Sequence, residues 1–221
     1  KLTCVPPMRM CSCDHVFLSM IAIIDYGMGN LRSVQKALEN VGAQTVVTSD
    51  KKVIAKADKV VLPGVGAMRP AMERLKELGL VDTIFTVIDD GKPFLGICLG
   101  LQLLFEKGLE GGEVKALGIL KGSVRPFQGD IKVPHMGWNQ INIQSLGKKM
   151  YEGVAENANV YFCHSYCVVP KNEDSNIYAT LTDYDGPFVS SICKGNIWAV
   201  QFHPEKSQKT GLKILENFVK L

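Results

Sequence analysis

The chain has 221 residues, 25 of them basic and 22 acidic, for a net charge of +3. Hydrophobic residues make up 46% and charged residues 21%, the balance of a globular protein, which excludes a largely disordered or fibrous chain. The charge is too even to imply nucleic acid as a partner, and no run approaches the ~18 consecutive apolar residues of a membrane span.

Seven cysteines are the uneven feature, three of them in the first thirteen residues. Residues 1–19 carry two adjacent prolines and no helical or strand period. The longest apolar run there is Val16-Phe17-Leu18, too short for the core of a secretory signal. Cys11, Cys13 and His15 give C-x-C-x-H, which matches no common zinc spacing and lacks a fourth ligand. The segment reads as a leader or an expression-derived extension, ahead of one domain over residues 20–221.

From residue 20 onward the elements alternate. An apolar strand over 21–25 precedes Gly27 and Gly29, and Leu31, Val34, Leu38 and Val41 follow at helical spacing until Gly42. Strands are expected over 45–48, 59–62 and 94–97, and helices over 71–78, 81–90 and 99–105. This alternation predicts a parallel sheet covered on both faces. After about residue 117 strands dominate, over 123–127, 140–143, 160–166, 177–182, 188–193 and 197–202. Lys194-Gly195-Asn196 reads as a tight hairpin. A helix over 207–221 closes the chain. The expectation is a single α/β domain with a mixed, mostly parallel sheet.

Gly96-Ile97-Cys98-Leu99-Gly100 follows a strand and opens a helix. A small-x-nucleophile-x-small pattern lets the chain turn sharply and exposes the central side chain above the sheet. The flanking glycines remove Cβ atoms that would meet the neighbouring strand and helix. Free N–H groups and the helix dipole at this point favour the thiolate, the reactive form. The Leu99 N–H would face an oxyanion on the attacked carbonyl. Cysteine is also among the most buried residue types, so a structural thiol is the competing reading, and the paired glycines favour the nucleophile.

A cysteine nucleophile needs an imidazole to take and return a proton. His203 stands at the end of a strand, where α/β sheets present catalytic groups. Pro204 turns the chain away, and Glu205, two residues on, would accept from the other ring nitrogen. Cys98, His203 and Glu205 thus form a candidate Cys-His-Glu triad. Pro63-Gly64-Val65-Gly66 after another strand supplies free N–H groups, and the second oxyanion donor is assigned to Val65. A phosphate loop fits this segment poorly, because no G-x-x-x-x-G-K-[ST] pattern is present.

With G-x-C-x-G paired to a downstream H-P-E, the chain resembles class I glutamine amidotransferases, over essentially residues 20–221. DYGMGN (25–30), LPGVGAM (62–68), GICLGLQLLFE (96–106), PHMGWN (134–139), YFCHSY (161–166), TDYDG (182–186) and QFHPEKS (201–207) narrow the resemblance. Within the class it looks like the glutaminase subunits of imidazole glycerol phosphate synthases, of histidine biosynthesis. The resemblance implies a flavodoxin-like fold, a cytoplasmic enzyme without a cofactor, and L-glutamine as substrate. It further implies glutamine binding by Gly64, Gln102, His164, Ser165 and Tyr166, with Glu106 on the amino group. The partner it implies is a (β/α)8-barrel cyclase subunit in a heterodimer, receiving ammonia. The face towards that partner would hold Asn30, Pro134, His135, Met136, Gly137, Trp138, Asn139 and Lys206, with Trp138 near the ammonia exit.

Met68-Arg69-Pro70 departs from the smaller, glycine-containing stretch common in the family, and Cys167 stands where a second tyrosine is common. The leader has no counterpart there. Amidotransferase subunits serving anthranilate, aminodeoxychorismate or pyridoxal phosphate synthesis share the Cys and H-P-E motifs. A cysteine protease or thiol esterase shares only the nucleophile, and an inactive assembly protein would share the fold.

Overall fold

A computed structural model describes residues 19–171 and 177–221. The extension and its C-x-C-x-H pattern lie outside the described residues, apart from Ser19.

The apolar runs form the centre of one twisted sheet. Strands β1 (Met20–Ile24), β2 (Gln44–Thr48), β3 (Lys59–Gly64), β4 (Phe94–Cys98) and β13 (Ile197–Val200) lie parallel in the order β2-β1-β3-β4-β13. Period-two alternation divides their side chains between two cores. Ala22, Ile24 and Leu62 pack with the helices α2 (Lys51–Lys56), α3 (Met68–Glu77), α4 (Leu80–Asp89) and α5 (Leu99–Leu103). Ile21, Ile23 and Val61 pack with α1 (Leu31–Asn40) and α6 (Gln208–Lys220), through Val34, Leu38, Ile214, Leu215 and Phe218. The sheet is covered on both faces, as the alternation predicts.

Beyond β13 the pairing turns antiparallel. β12 (Pro187–Lys194) pairs with β13 through the hairpin at Lys194 and Ile197, and β10 (Tyr166–Pro170) and β7 (Gly122–Pro126) continue outward. Two-residue strands β5 (Lys107–Gly108), which returns to a parallel pairing with β7, and β6 (Val114–Lys115) end that edge. β11 (Tyr178–Asp183) leads from β12 to β8 (His135–Ile143), which pairs with β9 (Ala158–His164) in a ribbon beside the parallel edge.

Several boundaries differ from the expectation, and four of them bear on the site. The strand over 160–166 is two strands broken at Ser165, and the strand over 140–143 begins five residues earlier at His135. α5 ends at Leu103, and α3 begins at Met68. The unusual Met68-Arg69-Pro70 therefore forms the first turn of a helix, where proline costs no hydrogen bond. α2 was not foreseen; Asp50 caps it by accepting from Lys52 N–H at 2.8 Å. Among the described residues, no helix is long and apolar enough to cross a membrane.

Candidate active site

The strand-to-helix elbow begins with the paired strands β3 and β4, in which Leu62 faces Gly96 and Gly64 faces Cys98. A Cβ on Gly96 would lie 2.8 Å from the Gly100 carbonyl oxygen, and one on Gly100 would collide with the Leu62 carbonyl. A Cβ on Gly64 would lie 2.5 Å from the Tyr26 hydroxyl and 2.9 Å from Leu99 Cβ. The glycines thus let α5 sit directly against the strand ends, as their spacing predicts. Cys98 occupies the turn with φ 55° and ψ −107°, a conformation that L-residues rarely adopt and that costs on the order of 1–3 kcal/mol. It persists because close packing on both sides leaves the chain no other path, and it directs the thiol above the sheet.

Sγ of Cys98 opens into a cavity of about 520 Å³. The sulfur makes two contacts beneath it, lying 3.9 Å from the Cys163 carbonyl oxygen, to which it donates only as the thiol, and accepting from Nε2 of Gln201 at 3.7 Å. His203 lines the same cavity. Its backbone N–H donates to the Tyr161 carbonyl at 2.9 Å, which fixes the end of β13 against β9. Pro204 starts a 3₁₀ turn over Pro204–Lys206, which folds Glu205 back under the ring. Nδ1 of His203 and Oε1 of Glu205 are 2.8 Å apart, with side-chain exposures of 4% and 1%. Burial alone would lower the His203 pKa. Hydrogen bonding and charge from Cys98 and Glu205 outweigh it and raise the ring to about 10. The site is therefore built to hold a proton on the imidazole beside the sulfur.

The walls come from the loops at the strand ends. Val65 and Gly66 follow β3 and lie across the cavity from His164, Ser165 and Tyr166 at the break between β9 and β10. Gly66 has φ +87°, a value that favours glycine. Leu99 and Gln102 line the α5 side, and Pro134 and Lys206 the rim. The cavity thus brings together Cys98, His203, Val65, Leu99, Gln102, His164, Ser165, Tyr166, Pro134 and Lys206 from the sequence reading. Gly64 lies beneath, in the strand, and Glu205 stands behind His203.

Two expectations need correction. Glu106 does not line the cavity. It accepts from Gly122 N–H at 2.9 Å and pairs with Lys171 at 2.9 Å and Lys121 at 3.5 Å. The hydrogen bonds and charges of these partners hold its carboxyl well down, at about 2. The carboxylate that reaches the cavity is Glu110, whose Oε2 accepts from Met68 N–H at 3.3 Å. The reason is the early end of α5. Glu106 no longer continues the face of Cys98 and Gln102, and the next four residues bring Glu110 around.

His135 is the second correction. It is only 4% exposed, so it cannot face a partner. Its ring stacks on Tyr184 at 4.0 Å and Phe162 at 4.8 Å between centroids, and Nδ1 meets Nε2 of His164 at 3.0 Å. Strand alternation turns Met136 and Trp138 outward instead, 60% and 48% exposed. Trp138 packs edge-on against Tyr161, and Lys206 lies over the Tyr161 ring at 5.8 Å. Asn30 and Pro134 are exposed as well, while Gly137 and Asn139 are half-buried. Gln201, Cys163, Glu110 and Tyr161 were missed by the sequence reading. Gln201 precedes Phe202-His203 in QFHPEKS, and Glu110 follows Cys98 too far along for helical spacing to find.

Comparison with known proteins identifies the family and the fold. The family model "Glutamine amidotransferase class-I" matches residues 22–221. The imidazole glycerol phosphate synthase subunit HisH of Aquifex aeolicus (strain VF5) is 58% identical over 197 residues, covering 89% of this chain and 94% of that protein. The subunit of the same name from Syntrophotalea carbinolica is 52% identical over 206 residues, covering 90% and 98%. Among solved structures, PurLQS from Thermotoga maritima shares the fold with a TM-score of 0.71 at 18% identity, over 91% of this chain and 98% of that one. A crystal structure of a glutamine amidotransferase gives 0.70 at 16% identity, over 91% and 99%. The chain belongs to the class-I glutamine amidotransferase family, among proteins that resemble the HisH subunits of imidazole glycerol phosphate synthase.

Proposed function

We propose that this chain is the glutaminase subunit of an imidazole glycerol phosphate synthase, with residues 20–221 as its amidotransferase domain acting in the cytoplasm. The observation that carries the reading is the strained Cys98 opening into one cavity with the His203–Glu205 pair.

Glutamine enters with its side-chain amide over Cys98. Gln102 and the edge formed by His164, Ser165 and Tyr166 flank the chain, and Glu110 takes the α-ammonium. Sγ attacks the amide carbon, and its proton resides on His203. The N–H groups of Val65 and Leu99 hold the oxyanion; each such donor is worth roughly 2.7–4 kcal/mol. His203 gives its proton to the leaving nitrogen, ammonia departs, and a thioester remains on Cys98. His203 then takes a proton from water, whose oxygen attacks the thioester to give glutamate and return the thiol. Glu205 holds the ring orientation and balances the imidazolium throughout.

Free ammonia in water would be protonated and lose its nucleophilicity, so direct delivery to a second site is required. Val65, Val133, Met136 and Trp138 are exposed apolar side chains, and Lys206 stands at the cavity rim. An apolar surface of this kind marks a protein interface, here for a (β/α)8-barrel cyclase that accepts ammonia and forms imidazole glycerol phosphate and aminoimidazole carboxamide ribotide. The test is ammonia release from glutamine with and without the cyclase. The isolated chain should turn over slowly and the cyclase should accelerate it. Cys98→Ala should abolish release while the complex still forms. Stimulation by a different synthase, or turnover by Cys98→Ala, overturns the reading.

A further inference from the structure

The cavity floor is continuous with a line of buried polar groups that reaches the outward-facing ribbon. The Tyr166 carbonyl is an acceptor only, so the 2.9 Å contact with Nδ1 of His164 places a hydrogen on that nitrogen. In the neutral ring Nε2 then carries the lone pair, and the 3.0 Å contact makes Nδ1 of His135 the donor to it. Nε2 of His135 must accept, and Nδ2 of Asn139 supplies its hydrogen at 3.3 Å while also donating to the Asp183 carbonyl at 2.8 Å. The Asn139 amide orientation is fixed independently, since its Oδ1 accepts from Gln140 N–H at 2.7 Å. On the cavity side, Nε2 of Gln102 donates to the same Tyr166 carbonyl and to Oε1 of Gln201, both at 3.1 Å. Gln201 in turn donates to Sγ of Cys98.

We propose that His135 and His164 are positioning residues for glutamine hydrolysis, a relay of fixed tautomers that joins β8 through the Tyr166 carbonyl to the Gln102–Gln201 pair beneath Cys98. The inference rests on the reading of Cys98 as the glutaminase nucleophile, and it adds how the sulfur is held and from where it is adjusted. His135, His164, Gln102 and Gln201 are each at most 8% exposed, so every member left unpaired would keep its full desolvation cost. A shift of β8 therefore cannot be absorbed in one contact and is carried on to the sulfur. Met136 and Trp138, the outward neighbours of His135 on that strand, are exposed, which places the outer end of the relay where a docked partner would press.

The test uses the full chain in complex with saturating cyclase, and reads kcat and KM for glutamine. His135→Leu fills the site without a donor, whereas His135→Asn keeps an N–H near the position of Nδ1. Loss of one buried hydrogen bond should lower kcat about tenfold in His135→Leu with KM within about twofold, and His135→Asn should recover to within about threefold. If His135→Leu does not fold, Asn139→Ala at the half-buried outer end should lower kcat by about threefold with KM within about twofold. Nitrogen NMR of the wild-type protein should place the imidazole proton on Nδ1 of both rings. Equal activity of the Leu and Asn variants, unchanged kcat in Asn139→Ala, or a proton on Nε2 of either ring overturns the relay. Cys98→Ala is run alongside. If it retains turnover, the glutaminase reading fails and the relay falls with it; if only the His135 comparison fails, that reading stands.

Discussion

Oε1 of Glu205 sits 2.8 Å from Nδ1 of His203, and its second carboxylate oxygen is buried without a hydrogen-bond partner among the described residues. The carboxylate therefore serves one ring. Its contribution is orientation and charge, because burial alone would drive the imidazole towards the neutral form. Glu205→Gln keeps the shape and removes the charge. We expect turnover in the cyclase complex to fall by about 100-fold or more. The limb of the pH–rate profile that reports imidazole deprotonation should move down from about 10, the value at which the wild-type ring is held. Both are read from initial rates of ammonia release across pH. An unchanged profile would show that Glu205 only fills space.

Glu110 and Glu106 separate by their surroundings. Glu110 borders the cavity, and Glu106 is tied to Lys171, Lys121 and Gly122 outside it. Glu110→Gln removes the charge opposite the substrate ammonium and should raise KM for glutamine by roughly tenfold with little change in kcat. Glu106→Gln should leave KM within about twofold. Steady-state kinetics of the two variants decide the assignment, and a KM effect confined to Glu106→Gln would reverse it.

The parts of the site that follow local rules were legible in the sequence. The elbow at Cys98 is written in Gly96 and Gly100, because only glycine permits the approach of α5 to β3. The His203–Glu205 pair is written in the proline between them, which turns the chain at the strand end. What was not legible depends on where elements stop. Helical spacing continued past Leu103 puts Glu106 in the site, but the helix ends there and the loop delivers Glu110. PHMGWN reads as one partner-facing block until strand alternation divides it, with His135 inward and Met136 and Trp138 outward. Gln201 has no pattern of its own. Its role follows only from the pairing of β13 beside β4, which sets Val200 next to Ile97.

Close approach at the elbow makes a direct prediction for stability. The Gly100 Cα faces the Leu62 carbonyl, a backbone atom that cannot rotate away as a side-chain end would. Gly100→Ala should destabilise the fold by about 1–3 kcal/mol or more, the range for overpacking in a rigid interior, and should reduce activity with it. Gly118→Ala is a control, since a Cβ there meets nothing within 4 Å. Its φ of +71° limits the loss to about 1 kcal/mol of backbone strain. Urea denaturation of both variants measures the difference, and equal losses would remove the packing argument.

The buried histidine pair predicts a stability limb on the acid side. Burial lowers His135 to about 4 and His164 to about 3, with the neighbouring His135 and His203 rings adding to the effect on His164. An unfolded histidine titrates near 6.5. Above that pH neither state binds the proton, and the contribution of both rings is complete. As pH falls below about 6.5 the unfolded chain takes up protons that the fold refuses, so stability declines until pH reaches the folded values. His203 runs the other way. Its raised pKa gives stability that is fully present below about 6.5 and lost only as pH rises through about 10. Between pH 7 and pH 5 the pair dominates, and the net loss should be on the order of 3 kcal/mol. Urea midpoints at the two pH values measure it. His135→Asn, which removes one titrating ring, should flatten the decline by roughly half. A midpoint that holds or rises on acidification would mean that the rings accept protons within the fold.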